Sequence, residues 1–107
     1  PSPCWTRAEN VTFLRIELDS GEIHLLPYIQ ISHGHLLRTN DLHTLDIHFD
    51  DHTLHIKGHS LLPLLLAVQK NSLESVKASP TPITKAADKV HIQLLQVKKS
   101  IPTPLET

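Results

Sequence analysis

Apolar and polar positions alternate without a break through His43-Thr44-Leu45-Asp46-Ile47-His48-Phe49 and again through Thr53-Leu54-His55-Ile56-Lys57. A period of two belongs to a half-buried strand, so Leu45, Ile47, Phe49, Leu54 and Ile56 are expected on one inner face. Asp50-Asp51-His52 lies between the runs and supplies residue types that tolerate the backbone angles of a tight turn. Two registers of this hairpin keep the apolar faces together. With Asp50-Asp51 as the loop, Asp46 faces His55; with Asp51-His52 as the loop, His48 faces His55 and Asp46 faces Lys57.

The hairpin runs into Ser60-Leu61-Leu62-Pro63-Leu64-Leu65-Leu66-Ala67-Val68, which predicts a helix reaching about Asn71. Ser60 is the expected cap, and Pro63 fits a first turn, where an N–H has no intrahelical partner to lose. The apolar residues point all round the axis, whereas a helix resting on one sheet needs a single apolar stripe. A core accounts for Leu61, Leu64, Leu65 and Val68. Leu62 and Leu66, one turn apart, fall on another face that the C-terminal tail or a second subunit must cover, because exposed apolar patches mark contacts.

Upstream, Leu14, Ile16 and Leu18 alternate with Arg15, Glu17 and Asp19 as a first strand. Ser20-Gly21 reads as a two-residue hairpin loop with Gly at positive φ. That loop would set Leu18 opposite Ile23, Ile16 opposite Leu25 and Glu17 opposite His24. Pro27 marks an edge, a bulge or a bend. Tyr28, Ile29 and Ile31 continue as extended chain to a turn at His33-Gly34-His35, Leu36-Leu37 opens a short third strand, and Thr39-Asn40-Asp41 is a loop. Ser72 to Ala78 reads as a returning strand through Leu73 and Val76. Residues 89–97 fit a strand through Val90, Ile92 and Leu94 or a helix through Val90, Leu94 and Val97; the strand is preferred because prolines fence a short run. Residues 1–10 are expected to be an arm anchored by Trp5, residues 11–98 a single domain, and residues 99–107 a tail. Ser79-Pro80-Thr81-Pro82 is an extended connector. The expected fold class is α+β: a bent antiparallel sheet or small open barrel of about five to seven strands, covered by one apolar helix.

A chain of 107 residues buries roughly 60 to 70% of its unfolded surface in one core. With 39% hydrophobic and 20% charged residues, neither a disordered chain nor a membrane span is indicated, and no apolar run approaches the ~18 residues a span requires. Cys4 is the only cysteine; an internal disulfide and a multi-cysteine zinc site are excluded, and a reducing, cytoplasmic compartment is expected. No signal peptide is visible. With no Met and a Pro1-Ser2-Pro3 start, the chain is read as a processed or trimmed product. A net charge of −1 and the few aromatics Trp5, Phe13, Tyr28 and Phe49 disfavour nucleic acid as partner, since a phosphate-binding surface and a stacking platform are both missing. The unusual feature is histidine: protonating all nine would carry the formal net charge from −1 to +8, a latent response to acidification.

Asp46, His48 and His55 share the outer face of the central hairpin in either register, and a two-histidine, one-carboxylate set suits zinc or another divalent ion. Alternation alone, however, puts polar residues on the outer face of any sheet. His33-Gly34-His35 places two imidazoles in what reads as a polar turn. The chain has no Gly-x-Ser-x-Gly elbow, no His-Glu-x-x-His and no phosphate-cradling loop, so neither a catalytic residue nor a cofactor is expected.

Gly21-Glu22, Pro27-Tyr28, His52-Thr53 with Ile56 and Gly58, and Leu61-Leu62-Pro63-Leu64 resemble the G-E…P-Y…H-T-x-x-I-x-G…L-x-x-L pattern of a group of small uncharacterised bacterial proteins. The resemblance spans about residues 14–78. It implies a bacterial, intracellular protein and assigns no activity and no site residue.

These features lead to a small non-enzymatic interaction module, a homodimer or an accessory subunit of a larger assembly, with Leu62 and Leu66 carrying the contact to a second copy or another protein. The alternative is a histidine-based divalent-metal domain using Asp46, His48 and His55. A binder whose association changes with pH is a third reading.

Overall fold

The computed structural model describes residues 4–39, 42–78 and 90–99. The connector at 79–82, the loop residues Asn40 and Asp41, and the tail after Lys99 lie outside the described residues. The described chain forms β1 (Trp5–Arg7), β2 (Phe13–Glu17), β3 (Ile23–Pro27), a 3₁₀ turn (Tyr28–Gln30), β4 (His33–Arg38), β5 (His43–His48), β6 (His52–His59), α1 (Leu62–Gln69), β7 (Leu73–Lys77) and β8 (His91–Lys99). This is an α+β fold. Its eight strands make two four-stranded sheets, ordered β1-β7-β2-β3 and β4-β5-β6-β8, that do not close into a barrel. The strand number exceeds expectation because the supposed arm pairs with β7 as β1; the two strands expected near the C-terminus are present as β7 and β8, and the expected third strand begins already at His33, so the supposed His33-Gly34-His35 turn is strand.

The inner faces of both sheets and one face of α1 build a single core. Leu14, Ile16 and Val76 of the first sheet, Leu45, Ile47, Leu54, Ile56 and Ile92 of the second, and Leu61 and Leu64 at the helix are all buried. The helix touches β4 of one sheet and β7 of the other, so it bridges them rather than resting on one; this is why it needs more than one apolar stripe.

The first hairpin departs from its expected register by one residue. Leu18 N–H bonds to the Glu22 carbonyl at 2.9 Å and Gly21 N–H to the Leu18 carbonyl at 3.0 Å, and Gly21 has φ +97°. The loop is therefore Asp19-Ser20-Gly21, a turn closed by a left-handed glycine, which suits the twist of the flanking strands as well as a two-residue loop does. Ile16 then faces His24, Glu17 faces Ile23, and Leu14 faces Leu26. A shift of one exchanges the two faces of a strand. Leu26 goes into the core, while Ile23 and Leu25 turn outward with exposures of 62% and 60%.

The central hairpin takes the Asp50-Asp51 loop. Asp46 pairs with His55 and His48 with Thr53, and Phe49 N–H bonds to the His52 carbonyl at 2.7 Å. β8 is the strand expected in this region, but its phase changes midway: Gly58 faces Ile92 and Lys57 faces Leu94, a bulge that leaves Gln93 unopposed. Before the bulge Ile92 points inward; after it Leu95 and Val97 face Ile56 and Leu54.

Helix α1 starts at Leu62 with Leu61 as its N-cap, not Ser60, which has φ 56° one residue earlier. The cap expected of Ser60 is replaced by a distant group: Leu61 N–H bonds to His43 Nδ1 at 3.3 Å. A backbone N–H can only donate, so this nitrogen is the ring's acceptor. At the other end, Asn71 (φ 53°) lets its N–H reach the Val68 carbonyl at 3.1 Å and the Ser72 N–H reach Ala67 at 2.8 Å. That paired closure ends the helix and turns the chain straight into β7.

Candidate functional site

The outer face of the second sheet carries the chemistry-bearing side chains in rows set by strand register. His33, His48, Thr53 and Lys98 form one row, and His35, Asp46, His55 and Gln96 the next. A turn at Gly34 would have removed His33 and His35 from this face; as part of β4 they join it. The His33 ring lies 5.6 Å from that of His48 and 6.3 Å from that of His35.

Of the three residues singled out as metal ligands, two meet. His55 Nδ1 lies 2.5 Å from Asp46 Oδ1, and since an ionised carboxylate only accepts, the ring nitrogen donates. His48 belongs to the neighbouring row, where its Nδ1 lies 3.2 Å from Thr53 Oγ1. Among the described residues no three His, Cys, Asp or Glu side chains converge to hold a metal ion. The chosen register is the cause: it gives the carboxylate to one histidine and a hydroxyl to the other.

The residues singled out for partner contact divide as well. Leu66 is 45% exposed, Leu62 only half-buried. Leu65, Leu66 and Val68 line an open groove of about 590 Å³ together with Tyr28, Ile31 and Gly34. Tyr28 is buried at the groove and donates its hydroxyl to the Leu73 carbonyl at 2.6 Å. Burial pushes this hydroxyl from its ordinary 10.0 up to about 12, because the phenolate would lose its hydration without gaining a counter-charge.

A second apolar surface was not foreseen in the sequence. Phe13, 50% exposed, joins Ile23 and Leu25 on the outer face of β2 and β3. The available signal was the Leu25-Leu26 doublet, which puts one leucine outside whichever register is chosen.

Comparisons with protein-family models, curated proteins and solved structures find no match. No helix among the described residues is long and apolar enough to cross a membrane.

Proposed function

We propose that this domain is a non-enzymatic protein-interaction module, acting as a homodimer or as an accessory subunit. The observation that carries the reading is the cluster of exposed large apolar side chains Phe13, Ile23 and Leu25 on β2–β3; Leu66 at the helix groove, Ile29 and Leu37 are exposed singly. Scattered single apolar residues are ordinary on a surface, whereas contiguous ones favour association. A cytoplasmic site of action belongs to this reading and is supported by the free, buried Cys4.

The test is solution mass by light scattering, with substitutions at each surface. Leu62→Gln combined with Leu66→Gln is expected to lower stability by about 1 kcal/mol or less, since Leu66 is half in water, and to abolish any association made through the helix. Association lost through either surface with the melting curve intact supports the module. Unfolding by the helix pair would place Leu62 and Leu66 in the core and leave β2–β3 as the contact; association indifferent to both surfaces overturns the module.

A further inference from the structure

Helix α1 brings little of its own to hold its start. The first N–H groups of a helix have no intrahelical partner, and Leu61 at the N-cap has no side chain that could accept from them. The first turn carries no acidic residue. The acceptor comes instead from β5: His43, 18 residues upstream, places Nδ1 3.3 Å from the Leu61 nitrogen. Leu61 is fully buried, so water does not stand in for the ring. One residue earlier, Ser60 occupies the left-handed region at φ 56°, a conformation that a residue with a Cβ keeps where its surroundings hold it there. A strained backbone position thus adjoins the bond that fixes the helix.

We propose that His43 is an acid-sensitive latch on α1: the neutral ring holds the start of the helix to the second sheet, and protonation of Nδ1 releases it. A neutral imidazole that accepts at Nδ1 carries its proton on Nε2, whereas the imidazolium has an N–H on both nitrogens and accepts at neither. Protonated, the ring would set two donors against each other and place a positive charge at the positive end of the helix dipole. The ring must then turn away, and Ser60 can leave its left-handed conformation.

Among the described residues, nothing beside the ring compensates that charge. β4 sets Arg38 opposite His43, a like charge, and β6 sets Gly58 there. Lys57 and His59 alternate to the other face of β6, and α1 has no charged residue from Leu62 to Gln69. The carboxylates that pair with histidines belong elsewhere, Glu22 with His24 and Asp46 with His55. The closed state loses a bond by taking up the proton and the open state loses none, so acid favours opening. The latch is whole while the ring is neutral and fails as pH falls. It does not depend on what the domain binds.

Amide hydrogen exchange on the full chain, corrected for the intrinsic rates, tests the latch between pH 8 and pH 5, where histidine is the side chain that changes charge. Protection at Leu61, Leu64 and Leu65 is expected to fall about tenfold over this range, as for one buried donor left without its acceptor. Leu45, Ile47 and Leu54 in β5 and β6 should keep theirs. Imidazole nitrogen shifts at pH 8 should place the His43 proton on Nε2. His43→Asn, whose Oδ1 accepts from the same position and does not titrate, should show no acid-dependent loss at the helix start. A proton found on Nδ1 at pH 8, helix-start protection that stays level with that of β5 and β6, or an equal acid loss in His43→Asn overturns the latch. The first two outcomes are read on the wild type, so they decide even where the variant fails to fold.

Discussion

Gly58→Ala is expected to cost about 3 kcal/mol of stability, with a melting temperature lower by roughly 10–20 °C. A Cβ at this position would overlap the His91 backbone carbonyl oxygen of the neighbouring strand and lie 3.0 Å from the carbonyl carbon. Both atoms are backbone, so no rotamer change relieves the overlap; β8 must move off β6. The position lies at the bulge where Gly58 faces Ile92 and Lys57 faces Leu94, and displacing β8 there opens the core at Ile92. Gly34→Ala is the control. Its Cβ would meet only Leu65 Cδ1 at 3.3 Å, the end of a flexible side chain, and the expected loss is under about 1 kcal/mol. Thermal melts of both variants decide the matter, and equal melting temperatures would refute the close-approach argument.

Tyr28→Phe separates two contributions of one hydroxyl. At neutral pH the variant loses the bond to Leu73, for about 1–2 kcal/mol. The alkaline limb carries the larger effect. The Tyr28 hydroxyl ionises near 10.0 in the unfolded chain and at about 12 in the folded one. Between these values the unfolded state has released its proton and the folded state has not, so unfolding is favoured as pH rises. The stabilisation is whole below pH 10 and is lost through pH 12, to the extent of about 2–3 kcal/mol. The readout is the difference between wild type and variant in denaturant midpoints from pH 8 to 12, in which contributions common to both proteins cancel. A difference that does not shrink with pH would refute the assignment.

The parts of this fold that the sequence discloses are those in which one face alone decides. Leu45, Ile47, Phe49, Leu54 and Ile56 are all buried, as strict alternation requires. Where adjacent positions are both apolar, alternation has two solutions. Leu25-Leu26 and Leu94-Leu95 are such doublets, and a turn one residue longer or a bulge selects the phase. The first half of β4 was hidden for another reason: Gly34 suggests a turn, whereas its missing side chain makes room for Leu65. The candidate site follows the same pattern. That Asp46, His48 and His55 share a face was legible, but the pairing of Asp46 with His55 required the Asp50-Asp51 loop to be known. The His43 ring at the start of α1 was not legible, because it is brought there by the pairing of β5 with β6.

The placement of β7 between β1 and β2 bears on the order of assembly. β4, β5 and β6 pair with their sequence neighbours, and such local contacts close quickly. The first sheet cannot. Trp5 must find Val76, and Arg15 must find Ser75 in a parallel pairing, so its middle strand arrives only after the whole β4-to-α1 segment has been synthesised. Until then the β2–β3 hairpin is a two-stranded ribbon, marginal alone in water, with its inner face uncovered. Weakening the β4–β5–β6 ladder is therefore expected to slow folding, and weakening β7 contacts to speed unfolding. During translation, the half of the molecule begun first stays open until three strands of the other half have been made.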